Sequence, residues 1–183
     1  MNLLFLVSGS SGSGKSSLFR SLMNNELKVF TTLKPGEGDM NESGHAYLTR
    51  KEFDFLRMND GFVGSICCED YCYGITKKEL KNKLSKGNAF VIVDFKLKQI
   101  IEKQYKNCLS LFIYADKEDV QKRMLARGDC LETREKKLTT YEEDILNMVY
   151  YDEVVVNHQN EFEHTLQTLQ DIITDSEGLS NYV

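Results

Sequence analysis

The residues best suited to chemistry lie near the start of the chain, where positions 9–16 read Gly-Ser-Ser-Gly-Ser-Gly-Lys-Ser. This spacing matches G-x-x-x-x-G-K-S/T, a loop that holds the phosphates of a nucleotide. Glycines allow consecutive backbone N–H groups to turn toward an anion, and the start of the next helix adds partial positive charge. Lys15 can then reach the β and γ phosphates, and the hydroxyl of Ser16 can hold Mg²⁺.

The segments on either side of this loop have the required character. The apolar run from Leu3 to Val7 is typical of a buried parallel strand, and residues 17–23 carry apolar side chains at helical spacing. Strand, glycine-rich loop and helix is the order that the motif needs. A flexible Gly/Ser linker would not explain a lysine and a serine in register. We therefore predict that the loop binds nucleotide phosphates.

Composition bounds the class of protein. The 183 residues are 41% hydrophobic and 28% charged, which is normal for a soluble globular domain. The net charge of -5 argues against non-specific binding of nucleic acid, although a local basic cluster can still hold a small anion. No stretch is long enough to span a membrane or resembles a signal peptide. We expect a cytoplasmic protein without nucleic-acid or membrane partners, either a monomer or a homodimer.

The cysteines are odd in number and come without a secretion signal, so we expect reduced thiols. The first three are close together, but their spacing fits no usual zinc pattern, and ordinary packing is favoured over metal binding. The five cysteines are Cys67, Cys68, Cys72, Cys108 and Cys130.

Strand-like runs alternate with helical patterns, which predicts an α/β fold with a largely parallel central sheet. The predicted strands cover residues 29–32, 89–94, 109–114 and 152–157, and we expect two smaller antiparallel strands at 62–68 and 71–74. The predicted helices cover residues 50–58, 77–84 with Thr76 as N-cap, 117–126, 138–151 and 162–174. Residues 127–137 form a charged loop or helix start, and residues 175–183 a frayed tail.

Two further charged features fit phosphoryl transfer. Asp94 ends an apolar strand, where a carboxylate can act through Mg²⁺, although an aspartate that caps a helix is the alternative. Mobile arginines can stabilise a transferring phosphoryl group, although an exposed charged helix face is the alternative. The basic cluster consists of Arg123, Arg127, Arg134, Lys136 and Lys137.

Short motifs across residues 3–173 occur in one particular order. They are Thr31-Thr32 before a Pro/Gly loop, Gly44-His45-Ala46-Tyr47 before Glu52-Phe53, Tyr71-Cys72-Tyr73-Gly74-Ile75-Thr76, Val93-Asp94, Lys122-Arg123 to Arg127-Gly128, and Val154-Val155-Val156-Asn157. In these motifs the chain resembles the guanylate kinases, a family of P-loop nucleoside monophosphate kinases. The resemblance implies that Mg-ATP donates its γ-phosphate to GMP or dGMP.

The resemblance also implies an architecture. The expected fold is a three-layer α/β/α P-loop NTPase with a parallel central sheet, a small NMP-binding region and a lid. A single domain would span residues 1–183. Its parts would be a core (1–32, 77–126 and 138–174), an NMP-binding region (33–76), a lid (127–137) and a flexible tail (175–183).

Individual roles follow from the same resemblance. The implied ATP site comprises Gly9, Ser10, Ser11, Gly12, Ser13, Gly14, Lys15, Ser16, Ser17 and, near the adenine, Asn157. The implied catalytic residues are Lys15, Asp94, Arg123 and Arg127, and the implied Mg²⁺ ligands are Ser16 and Asp94. The acceptor site would be built from Thr32, Lys34, His45, Tyr47 and Tyr73.

The chain departs from the family pattern mainly in the acceptor half. The arginines that grip the acceptor phosphate, the glutamate that binds guanine and other polar groups are replaced. The substituted positions are Leu33, Gly36, His45, Gly64, Ile75 and Ile92. Three hypotheses therefore stay open: a nucleoside monophosphate kinase with altered base preference, a P-loop kinase for a different small phosphorylated acceptor, and a non-catalytic guanylate-kinase-like interaction module.

Overall fold

The computed structural model describes residues 2–34 and 44–180, with side chains described through residue 176. The described chain forms two compact units. One contains residues 6–24 and those from 109 onward, and the other contains residues 2–5 and those between 25 and 108. The predicted single domain of residues 1–183 stays a prediction.

The strands are short, and the helices are of ordinary length. The strands are β1 (Leu4–Ser8), β2 (Val29–Thr31), β3 (His45–Tyr47), β4 (Phe62–Cys67), β5 (Cys72–Thr76), β6 (Ala89–Ile92), β7 (Cys108–Tyr114) and β8 (Glu153–Val156). The helices are α1 (Lys15–Leu22), α2 (Arg50–Met58), α3 (Lys77–Leu84), α4 (Phe95–Gln104), α5 (Lys117–Ala126), α6 (Leu131–Thr139), α7 (Tyr141–Leu146) and α8 (Phe162–Ser180), with a 3-10 helix at Asn147–Tyr150.

A parallel four-stranded sheet has the order β6-β1-β7-β8. Every residue of β1 is buried, which explains why this strand reads as a continuous apolar run. Strands β7 and β8 pair in parallel from Leu111 opposite Glu153 to Tyr114 opposite Val156. This sheet and its helices confirm the predicted α/β class.

A second sheet has the order β3-β2-β5-β4 and lies within the unit that contains residues 25–108. Strands β4 and β5 form an antiparallel hairpin, as the sequence predicted, and β2 pairs antiparallel with β5. Strand β3 was not predicted, and it pairs in parallel with β2. A small core of Phe53, Phe62 and Cys72 supports this sheet.

Helices α2 and α3 have the bounds that the sequence predicted. Helix α2 spans the predicted residues 50–58 and begins with a capping box between Thr49 and Glu52. Helix α3 begins after Thr76, whose hydroxyl accepts a hydrogen bond from the backbone N–H of Glu79. Capping is a local property of the chain, which is why these bounds are readable from sequence.

Helix α4 was not predicted, because a charged residue interrupts its apolar face. Lys98 is only 3% exposed and forms a 3.0 Å ion pair with Glu102, next to the buried Leu97 and Ile101. A lysine in this position hides the helical period of the apolar residues. The gap in the prediction therefore has a definite physical cause.

Two predicted helical segments have different bounds. The single helix predicted for residues 138–151 is wrong, since α6 ends at Thr139 and α7 begins at Tyr141. The hydroxyls of Thr139 and Thr140 donate to the carbonyls of Lys136 and Lys137, which competes with regular helical hydrogen bonding. Helix α8 continues through Ser180, beyond the predicted end at 174, so residues 175–180 are helical.

The expectation that all cysteines are reduced is wrong for two of them. Cys67 and Cys72 form a disulfide and occupy directly paired positions on β4 and β5. Strand pairing brings the two sulfurs together, and the spacing alone did not reveal this register. Cys68 and Cys130 are exposed thiols, and Cys108 is a half-buried thiol.

Among residues 2–34 and 44–180, no helix is both long and apolar enough to cross a membrane.

Candidate active site

The backbone of the glycine loop between β1 and α1 requires glycine. Gly9 has a φ of 145° and Gly14 a φ of 94°, values that side-chain-bearing residues rarely adopt. A Cβ at Gly9 would collide with the carbonyl oxygen of Ile113, and one at Gly14 would collide with the side-chain amide of Asn157. The loop therefore lies directly against β7 and against the residue that follows β8.

The loop contains polar groups that suit an anionic ligand. The backbone N–H of Ser13 donates to the carbonyl of Ser10 at 3.1 Å, and Lys15 Nζ donates to the same oxygen at 3.2 Å. The hydroxyls of Ser10 and Ser13 are buried and have no hydrogen-bond partner among the described residues. An unsatisfied buried hydroxyl costs about 1–3 kcal/mol, so these two groups favour a polar ligand in the loop.

The start of α1 offers further donors. Gly14 is the N-cap, no side chain in the described chain caps this end, and the first turn carries no acidic residue. The first N–H groups of a helix are therefore left for a ligand. Ser16 is half-buried and Ser17 exposed in this first turn, beside the half-buried Lys15. These residues fit a triphosphate with its Mg²⁺, the cofactor that the sequence predicted.

Arg123 on α5 forms hydrogen bonds with the glycine loop and with the residues that follow β8. Its Nη1 donates to the carbonyl oxygen of Ser13 at 3.0 Å, and its Nη2 donates to the carbonyl oxygen of Asn157 at 2.8 Å. Its Nε donates to Gln159 at 3.3 Å. Burial lowers the pKa of this guanidinium. The structure thus brings Arg123 to the predicted ATP loop, while its catalytic role stays a prediction.

Asn157 lies beneath the loop. Its side chain is 3% exposed, and its Nδ2 donates to the carbonyl oxygen of Ser13 at 2.7 Å. The hydroxyl of Thr165 on α8 donates to its Oδ1 at 3.3 Å. The contact with adenine that the resemblance implied is untested. The sequence did not predict that Asn157 supports the loop through its hydrogen bond to Ser13. It also did not predict the contacts of Thr165 with Asn157 and of Gln159 with Arg123.

Arg127 belongs to a separate charged group in the predicted lid. Its Nε donates to Asp129 Oδ1 at 2.9 Å and its Nη2 to the other oxygen, while Lys137 lies 3.6 Å away from that second oxygen. Hydrogen bonds from Arg127 hold the pKa of Asp129 below its usual range. The nearby Arg134 has a buried Nε without a hydrogen-bond partner among the described residues.

Asp94 caps α4, which is the alternative role considered for it from sequence. Its Oδ1 accepts a hydrogen bond from the backbone N–H of Leu97 at 2.8 Å. Its Oδ2 accepts a 2.5 Å hydrogen bond from the hydroxyl of Tyr73 on β5. Burial and this hydrogen bond raise the pKa of Tyr73, so the phenol remains a neutral donor. The Mg²⁺ role of Asp94 stays a prediction.

The other predicted acceptor residues lie on β2 and β3 or follow them. Thr32 is tied to β5, since its hydroxyl accepts from the backbone N–H of Cys72 at 2.8 Å and its own N–H donates to the Cys72 carbonyl. His45 and Tyr47 are two positions apart on β3 and so face one side of it. His45 is half-buried, and its Nδ1 has no hydrogen-bond partner within the described chain. Lys34 is exposed, and Gly36 lies outside the described residues.

The packing around Gly64 is tight at the position where the resemblance implied a replaced glutamate. A Cβ here would lie 3.1 Å from side-chain carbons of Ile100 and Ile101 and 3.2 Å from Leu97. Helix α4 therefore packs against β4 closely enough that a larger side chain could enter only if its neighbours moved. The close helix–strand contact is one reason for glycine at this position.

The glycine loop between β1 and α1 of a parallel α/β sheet defines a P-loop nucleotide-binding fold. A protein-family model, "Guanylate kinase", matches residues 1–176, and the chain belongs to this family. The resemblance drawn from the motifs is thereby confirmed.

Individual relatives agree with this assignment. A guanylate kinase of Helicobacter pylori is 28% identical over 166 residues, which cover 86% of this chain and 81% of the relative. A guanylate kinase of Haemophilus influenzae is 27% identical and covers 98% of this chain and 90% of the relative. The crystal structure of guanylate kinase from Anaplasma phagocytophilum has a TM-score of 0.70 at 19% identity, covering 95% of this chain and 85% of that one, and it supports the fold.

Proposed function

We propose that this protein is an ATP-dependent nucleoside monophosphate kinase that transfers the γ-phosphate of ATP to GMP, releasing ADP and GDP. The observation that carries the proposal is the loop at residues 9–16. It holds Lys15, which donates to the Ser10 carbonyl, and the buried hydroxyls of Ser10 and Ser13, which lack hydrogen-bond partners among the described residues. Membership of the guanylate kinase family supports GMP, and by extension dGMP, as the acceptor.

The family assignment and Lys15 count against the alternatives. A non-catalytic interaction module would have no structural need for a phosphate-binding lysine. The relatives that match the chain over most of its length are named as guanylate kinases, which gives no support for a different class of small acceptor. Because a glycine stands where the resemblance implies the guanine-binding glutamate, the preferred base of the monophosphate is still to be determined.

The donor residues have distinct proposed roles. The loop amides, Lys15 and the serine hydroxyls bind the ATP phosphates. Ser16 and Asp94 would hold Mg²⁺, which when bound neutralises charge on the phosphate oxygens. Arg123 and Arg127 would stabilise charge on the transferring group. In the described structure both arginines already donate to oxygen acceptors, and we propose that ATP competes for these donors.

The acceptor residues are fewer than in a typical family member. We propose that Thr32, Lys34, His45, Tyr47 and Tyr73 bind the monophosphate. A monophosphate needs cationic or neutral donors, and Lys34 and the half-buried His45 supply them. We propose that the monophosphate competes with Asp94 for the single O–H of Tyr73.

The remaining biological context is also a proposal. We propose that the protein works in the cytoplasm as a monomer or homodimer, with ATP and a small monophosphate as its ligands. The net charge of -5 supports the absence of a nucleic-acid partner.

An assay of ADP formation from Mg-ATP tests the function, with GMP, dGMP, AMP, CMP and UMP as acceptors. We expect turnover with GMP or dGMP, and a loss of about 100-fold or more in kcat/KM for Lys15→Ala. The matched control is Lys106→Ala, which removes an exposed lysine from the segment between α4 and β7. Failure of every monophosphate to stimulate ADP formation overturns the proposal.

A further inference from the structure

The hairpin of β4 and β5 carries three cysteines within six residues. Cys67 and Cys72 form the disulfide at the last paired position of the hairpin, and Cys68 is an exposed thiol in the connecting turn. The turn is closed by a 2.8 Å hydrogen bond from the backbone N–H of Cys68 to the carbonyl of Tyr71. The turn between β4 and β5 is therefore held by both the Cys67–Cys72 disulfide and a backbone hydrogen bond.

We propose that the Cys67–Cys72 disulfide is a thiol–disulfide exchange site, opened by a low-molecular-weight thiol of the glutathione class through Cys67, and that its opening weakens binding of the acceptor. The second half of this inference rests on the proposed function. The first half depends only on the chemistry of the hairpin.

The two sulfurs differ in access. Cys67 is exposed, whereas Cys72 is fully buried beside Phe53 and Phe62. Cys67 is therefore the sulfur open to an external thiolate, while Cys72 is shielded by the two phenylalanines. This difference makes Cys67 the sulfur that is attacked and Cys72 the leaving group.

Arg57 gives the exposed sulfur an electropositive setting. Its Nη1 lies 3.2 Å from Cys67 Sγ, and it reaches the sulfur from the last turn of α2. A guanidinium here attracts an anionic thiol and stabilises negative charge on Cys67. The site thus has both an accessible sulfur and a fixed cation.

The exchange balances with two molecules of the external thiol. In the first step its thiolate forms a bond to Cys67 Sγ, the Cys67–Cys72 bond breaks, and Cys72 leaves as a thiolate that takes a proton from water. In the second step another thiolate attacks the external sulfur of the mixed disulfide, and Cys67 leaves as a thiolate beside Arg57. The two external thiols are oxidised to their disulfide, and the protein disulfide is reduced.

The crosslink is connected to the acceptor residues by short contacts. Cys72 exchanges two hydrogen bonds with Thr32, of 2.8 and 2.9 Å. The next residue of β5 is Tyr73, which donates to Asp94 and stacks on Tyr71 with 5.7 Å between ring centroids. Opening the disulfide frees the hairpin end that positions Thr32 and Tyr73, so these groups lose part of their preorganisation.

Alkylation under denaturing conditions, followed by mass spectrometry, tests the exchange. The full-length protein is first equilibrated in glutathione buffers of graded ratio. We expect Cys67 and Cys72 to become alkylated together as the buffer becomes reducing, with the other cysteines alkylated throughout. The Cys130→Ser variant should show the same transition. Alkylation of Cys67 and Cys72 in the most oxidising buffer, or their protection in the most reducing one, overturns the exchange site.

If Arg57 attracts the external thiolate, it should increase the rate at which glutathione reduces the disulfide. Arg57→Gln should slow reduction of the disulfide by glutathione roughly 3- to 10-fold, while Lys51→Gln on the same helix should leave the rate unchanged. Equal rates for Arg57→Gln and the unmodified protein overturn the role of the cation.

Calorimetric titration of GMP separates this inference from the proposed function. We expect the oxidised protein to bind GMP roughly 3- to 10-fold more tightly than the reduced protein, and Cys67→Ser to behave like the reduced protein in both buffers. Equal affinity in both states overturns redox control and leaves the proposed kinase standing. Absence of GMP binding in either state overturns the proposed function together with the acceptor half of this inference.

Discussion

The side-chain amide of Asn157 donates a 2.7 Å hydrogen bond to the carbonyl oxygen of Ser13 across a separation of 144 residues. Arg123 donates to the same oxygen at 3.0 Å. These two donors fix the orientation of this carbonyl within the loop. The shape of the glycine loop therefore depends on the end of β8 and on α5 as well as on its own glycines.

The first prediction concerns Asn157. Asn157→Ala should lower the free energy of unfolding by about 1–3 kcal/mol, because it removes a buried donor to the carbonyl of Ser13. It should also raise KM for ATP. Thermal unfolding and steady-state kinetics measure the two effects. Asn82→Ala, an exposed asparagine on α3, is the control. An unchanged KM for ATP in the Asn157 variant would contradict the bracing role.

The second prediction uses two glycines with nearly the same backbone. Gly9 and Gly87 have φ values of 145° and 140°, so alanine is strained at both. A Cβ at Gly9 meets the Ile113 carbonyl, whereas one at Gly87 meets nothing within 4 Å. Gly9→Ala should therefore destabilise the protein by about 1–3 kcal/mol more than Gly87→Ala, as overpacking does.

Chemical denaturation of both alanine variants gives this difference directly. Mg-ATP should raise the melting temperature of Gly87→Ala as it does that of the unmodified protein, but not that of Gly9→Ala. Equal destabilisation by the two substitutions would contradict the prediction, because it would mean that the loop moves to accommodate the methyl group added at position 9 without a further loss of stability.

Local signals account for what the sequence predicted well. The phosphate loop, the bounds of α2 and α5, and the cap at Thr76 follow from spacing and side-chain chemistry within a few residues. The strand predicted for residues 89–94 is two residues too long, since β6 ends at Ile92 and Asp94 is the N-cap of α4. The hydrogen bond that Asp94 accepts from Tyr73 on β5 could not be recognised from a local pattern.

Contacts that depend on the folded arrangement account for what the sequence missed. The brace of Asn157 on Ser13 joins residues far apart in the chain, and the Cys67–Cys72 bond depends on the register of a hairpin. Helix α4 was missed because the buried Lys98 carries its charge into the apolar face and meets Glu102 there. Only the Asn157 contact is distant in sequence, whereas the disulfide and the Lys98–Glu102 pair join residues five and four positions apart and depend on strand register and helix packing.

The third prediction concerns the geometry of Arg123. Arg123→Lys keeps the charge, but one ammonium cannot reproduce the spread of donors that reaches Ser13, Asn157 and Gln159. We expect kcat to fall by about 10-fold or more while the protein stays folded. Lys122→Ala, at the preceding exposed position of α5, is the control. Equal kcat values for Arg123→Lys and the unmodified enzyme would show that charge alone suffices.

The fourth prediction concerns the pH dependence of stability through Tyr73. Burial first, and the hydrogen bond to Asp94 second, raise the pKa of Tyr73 above the value of about 10 expected in the unfolded chain. The folded protein therefore holds the phenolic proton more tightly than the unfolded chain does. The resulting stabilisation is fully present below about pH 10 and is lost as the pH rises through the folded pKa.

Tyr73→Phe isolates this contribution. The free energy of unfolding, measured by urea denaturation between about pH 9 and about pH 11, should fall less steeply in Tyr73→Phe than in the unmodified protein. Tyr150→Phe, at an exposed tyrosine, should keep the steeper fall. The same Tyr73→Phe variant should bind GMP more weakly at neutral pH, because it removes a proposed donor to the monophosphate. Parallel pH profiles for Tyr73→Phe and the unmodified protein would mean that the phenol and Asp94 are not coupled in solution.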